Sequence, residues 1–77
     1  MVGRYNNFSG HEVIKILQKQ FSFVFVSQKG SHIKLRKIDG EKVITVIIPA
    51  HRELAEGTLY NILRQAEVKP ESFLKFR

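Results

Sequence analysis

The sequence predicts an α+β domain of order α-β-β-β-α, a three-stranded antiparallel sheet with two helices on one face. Three observations lead there. Apolar residues recur at helical spacing near both ends of the chain, alternate with period two in the middle, and are punctuated by hairpin signals between. At 77 residues there is room for one domain, assigned here to residues 1–77.

The elements follow in chain order. Met1 to Asn7 is polar and expected to fray. Ser9 then stands three residues before Glu12, the spacing of a capping box, with Phe8 and Val13 placed to staple across it. Val13, Ile14, Leu17 and Phe21 continue at helical spacing, so a first helix is predicted over 9–20. The run from Phe21 to Ser27 is aromatic and β-branched, which suits a strand. After Lys29-Gly30-Ser31, residues His32 to Lys37 alternate polar and apolar, as in a half-buried strand. Asp39-Gly40 predicts a type I′ hairpin, and Lys42 to Ile48 forms the third strand, closed by Pro49. Leu59, Ile62, Leu63 and Ala66 predict a second amphipathic helix over 57–66. A short helical turn at Pro70–Leu74 would return Phe73 and Leu74 to the core.

Composition narrows the function. There is no cysteine, which removes disulfides and any zinc site built on thiolates. No apolar run reaches the roughly 18–20 residues of a membrane span, and the N-terminus has no signal-peptide pattern. A cytoplasmic location is therefore expected. The net charge of +6 and pI near 10.0 suit a polyanionic partner. Nucleic acid, an anionic membrane surface and an acidic protein all meet that description.

Strand parity locates the candidate chemistry. A hairpin centred on Asp39-Gly40 would pair Ile38 with Glu41, His32 with Ile47 and Lys34 with Thr45. Ile33, Leu35, Ile44 and Val46 must face the helices, so His32, Lys34 and Arg36 share the open face. A histidine in line with two cations there can serve a phosphodiester, although half-buried strands also carry polar residues outward with no such purpose. Gly30 can take a positive φ or let a phosphate approach the backbone; it can equally be a plain hairpin glycine. Ser31 can donate to phosphate or satisfy the turn. For the first strand, a bulge at Gly30 in a three-residue turn is expected to bury both Phe23 and Phe25. A two-residue turn would instead put those rings on the open face, where they could stack on bases. His11, His32 and His51 lack metal-ligand spacing, and no cofactor or metal is expected. His51, just past the third strand, could lie near the mouth of the same face.

Three segments together resemble a known family. They are Lys29-Gly30-Ser31-His32, Pro49-Ala50-His51, and Gly57-Thr58-Leu59-Tyr60-Asn61-Ile62-Leu63-Arg64-Gln65-Ala66. In this order, in a short basic chain, they resemble the HicA toxins of bacterial and archaeal toxin–antitoxin systems, over about Ser9 to Phe73. The resemblance implies a fold like a double-stranded-RNA-binding domain. It also implies a metal-independent endoribonuclease that cuts mRNA, neutralised by a HicB-type antitoxin that covers the active site. His32 falls on the family's catalytic histidine. One departure is visible: many members carry Gly-Phe before the first strand, where this chain has Ser22-Phe23. The residues themselves suit a mechanism in which His32 is the general base, and Lys29, Gly30, Ser31, Lys34 and Arg36 are expected to bind substrate. The free protein is expected to be a monomer that forms a hetero-complex with its antitoxin and binds no membrane. Val43 and Ile47 are candidates to be covered by that partner. A non-catalytic RNA-binding module of the same fold is the alternative.

Overall fold

The computed structural model describes residues 7–77, so most of the lead-in expected to fray lies outside the described residues. Ser9 opens α1 (Gly10–Gln20) with the reciprocal cap read from the sequence. Its hydroxyl accepts from the Glu12 N–H at 3.0 Å, and the Glu12 carboxylate accepts from the Ser9 N–H at 2.8 Å. Two of the helix's orphan donors are thereby satisfied. Phe8 and Val13, the staple pair, are both fully buried.

The chain leaves α1 through Ser22, a non-glycine residue at φ +66°. The Leu17 carbonyl accepts from the N–H groups of both Phe21 and Phe23 across this turn. Strands β1 (Val24–Lys29), β2 (His32–Asp39) and β3 (Lys42–Pro49) then form an antiparallel sheet of order β1-β2-β3. Helices α2 (Glu56–Ala66) and α3 (Pro70–Leu74) complete the chain. The element order and the open sheet are those predicted, and the short turn at Pro70 forms as α3.

One face of the sheet builds the core. Ile33, Leu35, Ile44, Val46 and Ile48 are buried against Val13, Ile14 and Leu17 of α1 and Leu59, Ile62 and Leu63 of α2. Phe73 of α3 is fully buried and meets the Phe8 ring at 5.3 Å. Gly10 locks α1 to the end of β3. Its N–H donates to the His51 carbonyl at 2.9 Å. A β-carbon there would lie 2.0 Å from the Pro49 oxygen, so only glycine permits this approach.

Two register expectations need correction. His32 pairs with Pro49, Lys34 with Ile47 and Arg36 with Thr45, because the β2–β3 turn is Gly40-Glu41 and Asp39 pairs with Lys42. The turn centre moves by one residue so that Gly40, at φ +66°, takes the first central position, the type II′ pattern rather than type I′. The pairing slips by two residues, which preserves every side chain's face. The second correction concerns β1. The turn into β2 is the two-residue Gly30-Ser31, with Lys29 opposite His32, and the irregularity lies inside the strand, between Phe25 and Ser27. The extra residue, Val26, lets Phe25 stand opposite Leu35 while Ser27 stands opposite Lys34. Phe23 is buried as expected, but Phe25 is 53% exposed. It shares the parity of the core face, yet sits on an edge strand.

Candidate active site on the open sheet face

The open face is ordered in cross-sheet rows. Lys29, His32 and Pro49 stand opposite one another at the end nearest the Gly30-Ser31 turn. The next row is Ser27, Lys34 and Ile47, then Val24, Arg36 and Thr45, then Ile38 with Val43. The character of the face changes along these rows, from imidazole and ammonium groups at one end to exposed aliphatic side chains at the other. Val24, Ile38 and Val43 are among the most exposed large apolar residues of the domain.

A depression of about 440 Å³ opens between the first two rows, lined by Ser27, Lys29, His32, Lys34 and Ile47. His32 is exposed, and among the described residues its ring has no hydrogen-bond or ion-pair partner. Both imidazole nitrogens are thus available to a ligand. Lys29 is exposed beside it and Lys34 is half-buried. Neither forms an ion pair among the described residues, where Lys42–Glu67 at 2.6 Å is the salt bridge. Their charges are left to whatever enters the depression.

The turn that presents His32 is fixed from three sides. Gly30 takes φ +58°, the left-handed region that glycine adopts without strain. Its carbonyl accepts from the Gln28 side-chain amide at 3.0 Å. The Ser31 carbonyl accepts from the Ala50 N–H at 2.6 Å, tying the turn to the segment after β3. That segment is in turn held by Gly10. The helix N-terminus, the end of β3 and the histidine turn therefore form one connected unit.

Of the residues singled out in the sequence, Lys29, His32 and Lys34 meet in the depression, and Gly30 and Ser31 form the adjacent turn. Arg36 is on the same face but one row further away, outside the lining. Its Nε is buried and has no hydrogen-bond partner among the described residues. His51 is exposed beyond β3 and does not line the depression. Sequence reasoning missed Ser27 and Ile47 as lining residues. Ser27 reaches this face only through the bulge at Val26, whereas Ile47 is on this face in either register and is read from the sequence only as a surface for the partner. Among the described residues no group of three or more His, Cys, Asp or Glu is placed to hold a metal ion.

A family model described as "HicA toxin of bacterial toxin-antitoxin" matches residues 10–68. The chain belongs to the HicA toxin family. The match runs from the glycine that opens α1 to Val68, just beyond α2, and so contains the whole sheet and the histidine turn. No curated protein matches the chain. Membership makes this HicA-family chain the toxin member of a toxin–antitoxin system. The Ser22 departure noted in the sequence also acquires a physical meaning. At φ +66° the position is one where glycine carries no steric penalty and serine does.

Proposed function

We propose that this HicA-family toxin is an endoribonuclease that cleaves mRNA without a metal or cofactor, using His32 as general base. The observation that carries the reading is the free imidazole of His32 standing in an open depression beside Lys29 and Lys34. A neutral imidazole nitrogen takes the proton from a ribose 2′-hydroxyl. The 2′-oxygen then forms a bond to the adjacent phosphorus, and the bond from phosphorus to the 5′-oxygen breaks. The products are a 2′,3′-cyclic phosphate and a 5′-hydroxyl. General-base help of this kind contributes roughly 10²–10⁴-fold. Lys29 and Lys34 offset the charge that develops on the phosphoryl oxygens. Gly30 and Ser31 offer backbone and hydroxyl donors at the turn, and Arg36 holds the RNA backbone one row away. His51 does not line the depression, so water is assigned as the donor to the leaving 5′-oxygen.

The partner is an antitoxin of the HicB type that covers this face. The exposed Val24, Ile38 and Val43 beside a cationic site suit a protein that brings acidic and apolar side chains together. The free toxin is a monomer in the cytoplasm and does not engage a membrane. No helix among the described residues is long and apolar enough to cross one.

A chimeric oligonucleotide tests the reaction. Placing a single 2′-deoxy nucleotide at a mapped cut site removes the attacking oxygen and leaves every phosphate in place. Cleavage at that site should stop while binding is retained. Cleavage at the normal rate rejects the mechanism. Binding without cleavage of the all-ribose substrate supports the alternative, a non-catalytic RNA-binding module.

A further inference from the structure

The depression contains more than a phosphate needs. Two of its five lining side chains, Ser27 and Ile47, have no part in the chemistry proposed above. They come from the two outer strands and flank Lys34 in one cross-sheet row. His32 and Lys29 form the neighbouring row. Diagonal neighbours on one sheet face lie about 7–8 Å apart, so the apolar side chain of Ile47 is one such step from the imidazole. Ile47 is 37% exposed, against 73% for Ile38 and 57% for Val43 on the same face, so it is partly recessed. At about 440 Å³ the depression falls in the size range of small-molecule sites. A bare phosphate would leave the Ile47 wall wet and the Ser27 hydroxyl unused.

We propose that Ser27 and Ile47 form a base-binding subsite that holds the nucleotide on the 5′ side of the scissile phosphate. The proposal rests on the ribonuclease reading above and adds to it the residues that set base preference. The base lies against Ile47, which gains apolar contact with a π-face. The Ser27 hydroxyl, both donor and acceptor, meets the base edge. Lys34, between them, contacts the nucleotide's phosphate, and the ribose 2′-hydroxyl is left facing His32. Ser27 and Ile47 are positioning and specificity residues in this arrangement; neither moves a proton.

The subsite gives different signatures from the catalytic centre. The four nucleoside 3′-monophosphates and inorganic phosphate are titrated into the full chain by amide-resolved NMR. The nucleotides should bind more tightly than phosphate and shift the amides of both Ser27 and Ile47. Ile47→Ala should weaken nucleotide binding by roughly three- to tenfold and leave phosphate binding unchanged, as expected for loss of one apolar contact. In cleavage assays Ile47→Ala and Ser27→Ala should raise KM more than they lower kcat, and should change the base found 5′ of the cuts. Both positions lie on the solvent face, so thermal melts of the variants should match the parent. If wild type cuts RNA, His32→Ala does not, and both variants keep the parental base preference and nucleotide affinity, the subsite is refuted while the nuclease reading stands. If wild type neither binds nucleotide nor cuts RNA, both readings fall.

Discussion

Replacing Gly10 with alanine should destabilise the domain, although alanine is the better helix former. The added methyl would meet the Pro49 oxygen at 2.0 Å and the Ala50 Cα at 3.0 Å. Both are backbone atoms, so no side chain can rotate aside. Relief requires α1 to withdraw from β3 by an ångström or more. That movement stretches the 2.9 Å bond from the Gly10 N–H to the His51 carbonyl. Overpacking of a tight contact costs about 1–3 kcal/mol, and loss of a buried hydrogen bond about 1–3 kcal/mol more. The propensity gain of alanine is at most about 1 kcal/mol and opposes them. A net loss of about 1–6 kcal/mol is expected, a large share of the roughly 4–12 kcal/mol that a domain of this length has in total. Urea unfolding followed by circular dichroism measures it, with the midpoint falling at constant slope. Gly57→Ala is the control, since Gly57 is also in the first turn of a helix but has open space where the β-carbon would go. It should leave the midpoint unchanged or raise it by less than about 1 kcal/mol. If Gly10→Ala is as stable as the parent, the close approach of α1 to β3 is wrong. The anchoring of the histidine turn through Ala50 then loses its basis.

Three further outcomes are expected. Ser22→Gly should stabilise the domain by about 1 kcal/mol in the same urea assay, because it removes a side chain from a left-handed position. Lys34→Ala should weaken RNA binding broadly and reduce the slope of log affinity against log salt by about one, the signature of a lost phosphate contact. Lys42 is raised above the ordinary lysine value of 10.5, first by its hydrogen bond to Glu67 and then by that carboxylate's charge. A raised folded-state value gives stability that is present below the unfolded value and lost as pH climbs through the folded one. Lys42→Met should therefore change the pH dependence of unfolding in alkaline solution, and by little for so exposed a pair.

Local signals were legible where the physics is local. The Ser9–Glu12 cap involves residues three apart, and the alternation from His32 to Lys37 depends only on the pleat. Both could be read without knowing what packs against them. The face shared by His32 and Lys34 was legible for the same reason, since a two-residue slip in pairing leaves it unchanged. The slip itself was not legible. It depends on whether Gly40 takes the first or second place in its turn, and both placements satisfy the sequence pattern. The bulge at Val26 was hidden more deeply. Two aromatic residues and a lysine make opposite demands on strand parity, and a mid-strand bulge meets both by switching faces between Phe25 and Ser27. Ser27 was missed as a site residue because of the bulge; Ile47 faces outward in either register and was read only as a surface for the partner. Gly10 read as an ordinary residue after a cap; its role depends on a partner about forty residues away in the chain.

The central claim is that one outward imidazole performs the chemistry, and His32→Ala tests it most directly. The variant and the parent are purified, checked for matching unfolding midpoints, and incubated with mRNA in the presence of a chelator. The parent should produce fragments ending in 2′,3′-cyclic phosphate, and the variant should bind the same RNA and leave it intact. Equal cleavage by the correctly folded variant would contradict the account.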